Sequence, residues 1–266
     1  MDFIDYLGLN AKKIETELDK ILLEFLKEVK KTSPKLVFLV KEFINSCQGG
    51  KRIRGVLAKL GFEIAGVNQD KEIYKVGAAL EIMHAAILVH DDIIDKSPLR
   101  RGKPSLYKVL GKDLAMTLGD LGFFLAIKII SESNFPEKDK NNALNLFSET
   151  MLKTAFGQIM DIQKDDPVIT ARLKTALYTI SGPLRLGAIL GGATSKLDKL
   201  GEFGNNLGIA YQIRDDILDG EAGDQARKQL REYTAKAEKI IPDITKDQRL
   251  GKIMKQMCEY LVERSR

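Results

Sequence analysis

Tryptophan is absent from this 266-residue chain, and histidine (2), cysteine (2) and proline (7) are scarce. Cys47 and Cys258 stand too far apart for metal-type spacing and are too few for a disulfide framework, so both staples of small secreted folds are excluded and a reducing compartment is expected. No run of alternating β-branched residues persists, which argues against a sheet. The N-terminal MDFIDYLGLNAKK lacks a basic-then-apolar leader pattern. The most apolar stretch, LGFFLAIKII at 121–130, is too short and interrupted to span a bilayer. These absences predict a cytoplasmic protein with no transmembrane segment. The net charge of +5 and pI near 9.0 fit nucleic acid, an anionic surface or phosphorylated substrates, but an excess this modest is first a matter of solubility.

What the chain does have is helical periodicity nearly everywhere. Ile14, Leu18, Ile21, Leu22, Phe25 and Val29 step by threes and fours. Further helices are predicted at 35–46, 52–66, 71–96, 104–118, 120–132, 138–163, 168–190, 197–219, 225–241 and 247–264. Turn residues fall between them, and no linker divides the chain, so the reading is one all-α domain over 1–266. VGAALEIMHAAILV (76–89) and ISGPLRLGAILGG (180–192) are apolar nearly all round and belong inside a helical bundle.

An acidic motif follows the first of these helices. HDDIID places Asp91, Asp92 and Asp95 at its end, and YQIRDDILD repeats the pattern with Asp215, Asp216 and Asp219. Carboxylates four apart share a helix face and repel one another. A hard cation removes the repulsion, and Mg²⁺ takes one or two carboxylates together with phosphate and water. Cationic groups accompany both motifs: Gly49-Gly50-Lys51-Arg52-Ile53-Arg54 at a helix start, Arg100-Arg101-Gly102 in a turn, and Lys174-Thr175. Arg and Lys at such places suit phosphate oxygens. Two acidic patches with cations around them predict a Mg²⁺–polyphosphate site.

GGKRIR (49–54), His84, HDDIID (90–95), RRGKPS (100–105), GD (119–120), GQIMD (157–161), KT (174–175) and YQIRDDILD (211–219) occur in this order. The series resembles the trans-isoprenyl diphosphate synthase (polyprenyl synthetase) family from about residue 45 to 224 and again in the C-terminal helices. The resemblance implies an all-α bundle around a central apolar cavity, a homodimer, and condensation of isopentenyl diphosphate with an allylic diphosphate (dimethylallyl, geranyl or farnesyl). It implies that Asp91, Asp95 and Asp215 ligate three Mg²⁺ ions, with Asp92, Asp216 and Asp219 close by. Arg100, Lys174 and Gln212 would hold the allylic diphosphate, with Thr175 beside the reacting carbon. Lys51, Arg54, His84 and Arg101 would hold isopentenyl diphosphate. A lone His on an apolar helix is ordinarily a core residue, but His84 lies seven before Asp91, where the family has a ligand. Gln158 and Asp161 match supporting positions; His90, Cys47 and Tyr211 are read as packing.

Met83, Ala86 and Ile87 lie eight, five and four residues before Asp91, on one helix face. Family members that stop at fifteen carbons commonly carry bulky aromatics at the last two positions. Ala86 leaves that path open, which implies a product longer than farnesyl, geranylgeranyl first, with Phe123, Phe124 or Met83 as a deeper floor. The alternative is that these are simply core residues.

The pattern departs from the family after Asp224, where a lysine-bearing lid loop is expected and QARKQLREYTAKAEKIIPD follows instead. Either the segment is truly deleted or the natural polypeptide is longer than this sequence. Nothing in the context of Lys228 makes it a substitute. The departure keeps a second reading open, a non-catalytic or regulatory synthase-like subunit that needs a partner, although both acidic motifs are intact. A terpene cyclase has no need of GGKRIR and RRG, and a nucleic-acid-binding module would be repelled by the acidic clusters, so no nucleic acid is expected.

Overall fold

The protein's computed structural model describes residues 1–67, 71–220, 223 and 225–263, without the side chains of Asp219 and Glu263. The Asp219 carboxylate, Asp224 and the departure expected beside it therefore lie outside the described residues. Helices carry nearly all of the rest: α1 (Phe3–Thr32), α2 (Leu36–Cys47), α3 (Ile53–Ile64), α4 (Glu72–Ile94), α5 (Leu106–Leu110), α6 (Lys112–Ser131), α7 (Glu137–Gln163) and α8 (Pro167–Thr170). A π-helical segment (Ala171–Ser181) follows, then α9 (Gly182–Leu190), α10 (Leu197–Asp219), α11 (Ala226–Ile244) and α12 (Gln248–Glu263). β1 (Leu99–Arg100) and β2 (Lys103–Pro104) form a two-residue antiparallel ladder, with Leu99 opposite Pro104 and Arg100 opposite Lys103. The all-α reading holds.

Three elements differ from the sequence expectation, each for a local reason. α1 begins at Phe3 rather than near Ile14. Asn10 breaks the apolar period, but its amide donates to the Tyr6 carbonyl at 2.8 Å and is satisfied inside the helix. The break expected at Gly119-Asp120 falls instead at Gly111, whose φ of +83° ends α5, and α6 runs through the Gly-Asp pair unbroken. Gly119 is there for space: a Cβ on it would meet His90 Nε2 at 2.6 Å. Unbroken, α6 is long and apolar enough to cross a membrane by length and composition, as is α4. The most apolar window of α4 is 72% buried inside the protein and that of α6 39%. The third difference is the π register of 171–181, which propensity does not reveal. Its closest neighbours are glycines, and Cβ atoms on Gly157 and Gly208 would lie 2.3 Å and 2.2 Å from the Lys174 nitrogen and the Ala176 Cβ.

The chain folds as two compact units, each discontinuous in sequence. The first comprises Met1–Asn10, Val56–Ile73 and Phe135–Arg266; the second comprises Ala11–Gly55 and Tyr74–Asn134. In the first unit Leu57, Leu60, Leu184, Leu200, Phe203, Leu207 and Met257 are fully buried, and α10 packs on α11 and the π segment. A costly polar insertion there is compensated: buried Glu63 accepts from Lys59 at 2.9 Å and Arg249 at 2.7 Å. In the second unit Ile14, Leu18, Phe43, Val76, Ile82 and Ala86 form the core, and α4 is its central apolar helix. Burying such side chains contributes roughly 1.5–3 kcal/mol each before chain entropy is counted.

Within the first unit, α3 and α9 meet backbone to backbone. A Cβ on Gly61 would lie 1.9 Å from the Leu184 carbonyl oxygen, and one on Gly187 1.9 Å from that of Ala58. A methyl group there forces the helices apart, and overpacking of this kind costs about 1–3 kcal/mol. Gly8, on α1 with nothing within 4 Å, is the control. Urea unfolding should show Gly61→Ala losing about 2 kcal/mol or more, and Gly8→Ala neutral or stabilised by up to about 1 kcal/mol.

Candidate active site

In the second unit, the end of α4 and the hairpin after it are built around one buried carboxylate. Asp92 is 3% exposed and accepts two hydrogen bonds on Oδ1 from Arg100, at 2.9 Å from Nε and 2.5 Å from an Nη. The bond to Asp92 raises the Arg100 pKa further above its ordinary value. Asp91 and Asp95 stand one turn apart, as the Asp95 N–H bonding the Asp91 carbonyl at 2.8 Å shows. Asp91 is part-exposed and Asp95 exposed. The three aspartates thus divide: one is turned inward as an anchor, and two are turned outward.

The hairpin turns on Arg101 (φ +52°) and Gly102 (φ +75°), both left-handed, the backbone a tight two-residue hairpin requires. This turn sends Arg101 to the glycine loop, where Nη1 donates to the carbonyls of Gln48 at 2.6 Å and Gly49 at 3.2 Å. Gly50 leaves room for it, since a Cβ would come within 3.0 Å of the guanidinium. Arg54 is buried on α3 and Lys51 is exposed beside it. His84 belongs to the same neighbourhood. Burial, then Arg54, Arg101, Arg100 and Arg52, hold its pKa well below the ordinary histidine value. The structure therefore brings His84, Arg54, Arg100 and Arg101 into one positive cluster, with His84 neutral.

Met83, Ala86 and Ile87 are all buried on α4. Ala86 has a packing reason for its size: a Cβ on Gly122 of α6 would lie 2.9 Å from the Ala86 Cβ and 2.5 Å from Phe43 Cζ. Phe124 does not serve as an internal floor of its unit, being 70% exposed because it lies on the outer face of α6. Phe123 is part-exposed and stacks on His90 at 5.5 Å, and His90 lies 3.2 Å from Asp120. The packing role read for His90 fits this setting.

The first unit holds the second group of predicted residues around a cleft of about 520 Å³. Asp161, Lys174, Thr175, Gln212 and Asp216 all line it. Lys174 reaches Asp161 at 2.5 Å. The Thr175 hydroxyl donates to Gln212 Oε1 at 2.9 Å, which fixes the amide so that Nε2 donates to Asp216 at 2.8 Å. The amide is the right group here, since it accepts from a hydroxyl and donates to a carboxylate at once. Asp215, part-exposed, accepts from Arg214 at 2.8 Å. The Gln158 Nε2 is buried without a hydrogen-bond partner among the described residues. Lys164, Asp165 and Thr170 also line the cleft and were not singled out from sequence. Lys164 caps α7 in a left-handed conformation (φ +57°), a setting with no signature in DIQKDD.

The donor chemistry of both groups fits Mg²⁺. The side chains are carboxylates, hard oxygen donors, present as Asp91 with Asp95 and as Asp215 with Asp216. Among the described residues no cluster of three or more His, Cys, Asp or Glu side chains encloses an ion. Mg²⁺ does not need one, because it completes its shell with substrate phosphate and water. The cysteines have no part in this: burial pushes the thiols of Cys47 and Cys258 up to about 12.

A family model described as polyprenyl synthetase matches residues 15–234. A geranylgeranyl diphosphate synthase of Sulfolobus acidocaldarius is 33% identical over 182 residues, 64% of this chain and 54% of the relative. Component 2 of the heptaprenyl diphosphate synthase of Bacillus subtilis is 37% identical over 183 residues, 64% of this chain and 50% of the relative. The chain thus spans about half the length of these curated relatives. Among solved structures, a geranylgeranyl pyrophosphate synthase from Corynebacterium glutamicum, complexed with isoprenyl diphosphate and magnesium, superposes with a TM-score of 0.83 at 21% identity, covering 96% of this chain and 99% of that one. The last likeness speaks for the fold. The family match, which spans both acidic motifs and every cationic group described above, makes this chain a member of the polyprenyl synthetase family.

Proposed function

We propose that the chain, as one synthase-type domain over 1–266, is a Mg²⁺-dependent trans-prenyltransferase. It joins isopentenyl diphosphate to an allylic diphosphate and releases a longer all-trans prenyl diphosphate, geranylgeranyl diphosphate first among the candidates. The observation that carries this is that a single family match contains both aspartate groups and a separate set of cations beside each.

The roles follow from the chemistry. Asp91, Asp95 and Asp215 would hold Mg²⁺, three ions by family resemblance, whose contribution when bound is to neutralise the departing diphosphate. Arg100, Lys174 and Gln212 bind that diphosphate. Arg100 is held in place by Asp92, Lys174 by Asp161, and the Gln212 amide by Thr175 and Asp216, so little reorganisation is left for the reaction. Lys51, Arg54, His84 and Arg101 hold isopentenyl diphosphate, where a neutral His84 contributes a hydrogen bond and the arginines the charge. Met83, Ala86 and Ile87 give the growing chain an apolar surface and exclude water from the allylic cation. The released diphosphate accepts the last proton, so no side-chain base is needed.

The absence of aromatics at Ala86 and Ile87 favours a product beyond fifteen carbons. Because Ala86 is also small for packing, the relatives' names, geranylgeranyl and heptaprenyl diphosphate synthase, carry more of that inference. A cytoplasmic homodimer is part of the proposal. Its support is the exposed apolar rows Leu152, Phe156, Ile159 and Ile162 on α7 and Met116, Phe124 and Ile127 on α6, which a lone soluble chain rarely leaves open. One observation favours a second reading: the Bacillus relative is named as a component, which fits a subunit that acts only with a partner.

Incubation of the purified chain with labelled isopentenyl diphosphate, each allylic primer and Mg²⁺ tests the proposal. Twenty-carbon product is expected, with none after chelation. Asp91→Asn and Asp215→Asn should each lower kcat by about 10²-fold or more, the usual scale for loss of one preorganised electrostatic group. Products stopping at fifteen carbons would overturn the length assignment. No turnover until a partner is added would favour the second reading.

A pH effect follows from His84. Its folded pKa is depressed, so below the ordinary value of about 6.5 the unfolded chain binds a proton that the folded one does not. Stability from this group is present above about pH 6.5 and is lost as pH falls from there towards the folded pKa. The thermal midpoint should decline over that window in the wild type, and less steeply in His84→Gln.

A further inference from the structure

Buried charge remains in the second unit that the proposed chemistry does not use. Glu81 is 4% exposed in the middle of apolar α4, and Oε1 accepts from the Gly55 N–H at 3.0 Å. Gly55 is the third residue of α3, a helix with no acid in its first turn. Amides at that place have no partner within their own helix, and the side chain of a Ser, Thr, Asp or Asn just before the helix normally accepts from them, which Arg52 cannot do. Here Glu81 does so from another helix.

Arg52 immediately precedes α3. It is left-handed (φ +55°), a conformation that a side chain with a Cβ rarely adopts without other contacts to hold it. The contacts are visible: the guanidinium, 3% exposed, bonds the Glu15 carboxylate through Nε and the Cys47 carbonyl through Nη1 at 2.9 Å. With Arg101 on the carbonyls of Gln48 and Gly49, three successive carbonyls of this loop are taken up by arginine donors. Buried ion pairs seldom improve on apolar packing for stability alone. What this network does achieve is one fixed path for the backbone that carries Lys51 and Arg54.

We propose that Glu81 and the Arg52–Glu15 pair are positioning residues that hold the loop from Cys47 to Arg54 as a preformed anion cradle. The diphosphate of isopentenyl diphosphate then binds without ordering the loop first, and the network acts on that substrate's affinity and not on the allylic one. This rests on the proposed role of Lys51 and Arg54.

The experiment is steady-state kinetics on Glu15→Ala, Glu81→Ala and Glu81→Gln, varying each substrate in turn, with calorimetric titration of isopentenyl diphosphate. Glu15→Ala and Glu81→Ala should raise the isopentenyl diphosphate KM and Kd about tenfold or more, with the allylic KM within about twofold of wild type; each 1.4 kcal/mol of lost preorganisation is tenfold. Glu81→Gln keeps an oxygen acceptor for Gly55 and should recover most of the affinity. Glu15 is the partly exposed partner, so Glu15→Ala keeps the test decisive if Glu81→Ala does not fold. Equal rises in both KM values, or a lower melting temperature with both unchanged, overturn the proposal. Wild type that binds isopentenyl diphosphate while the variants bind it equally well overturns the cradle alone. Wild type that neither binds nor turns it over overturns the reading of Lys51 and Arg54, and the cradle with it.

Discussion

The contact between Asp92 and Arg100 sets the geometry of the hairpin that carries Arg100 and Arg101. A carboxylate 3% exposed is tolerable only with strong compensation, and the two bonds from one guanidinium provide it. The consequence is positional. Arg100 is β1's last residue, so fixing it fixes the hairpin; the left-handed turn then aims Arg101 at the Gln48 and Gly49 carbonyls. Those carbonyls belong to the loop that opens α3. A single inward aspartate thus links the acidic end of α4 to the basic start of α3, while Asp91 and Asp95 remain at least partly exposed.

The first unit solves the same problem with neutral chemistry. Its relay runs from the Thr175 hydroxyl through the Gln212 amide to Asp216, beside the ion pairs Lys174–Asp161 and Arg214–Asp215. An amide between a hydroxyl and a carboxylate fixes orientation without adding charge to a cleft that already holds several carboxylates. The π register belongs to this arrangement, because it is the segment bearing both Lys174 and Thr175. π insertions recur at functional sites for this reason: a widened turn re-aims side chains that an α register would place elsewhere. The glycines at 157 and 208 give the widened coil its room.

Periodicity made the helices legible because an apolar face repeats along many turns, and both ends of α2 and the C-terminal ends of α3 and α10 fall close to the turn residues that predicted them. It failed where one residue's environment decided the outcome. Asn10 looks like a break and is a satisfied helix residue; Gly119 looks like a break and is a gap filled by His90. The site residues were legible as types in a pattern, so Asp91, Asp95, Lys174 and Gln212 could be named. Their division of labour was not, since nothing in HDDIID says which aspartate turns inward. Glu81 and Glu15 went unnoticed for a related reason. A charge inside VGAALEIMHAAILV is the signal that could have found Glu81, but its partner is a backbone N–H twenty-six residues away, which no local pattern encodes.

Ala86 shows how a specificity argument and a packing argument can share one residue. Read along α4, a small side chain five before Asp91 means an open path for a longer product. Read across to α6, it means that α4 approaches closely at Gly122, where even a Cβ would meet the Ala86 methyl at 2.9 Å. The two are compatible only if the apolar surface available to substrate is set by Met83 and Ile87 on either side of that crossing. Ile87, at 9% exposure against 2% for Met83 and none for Ala86, keeps the most accessible surface of the three. On this geometry a bulky residue at 86 would press on α6 at Gly122, whereas Met83 and Ile87 are apolar and buried and do not make that closest approach.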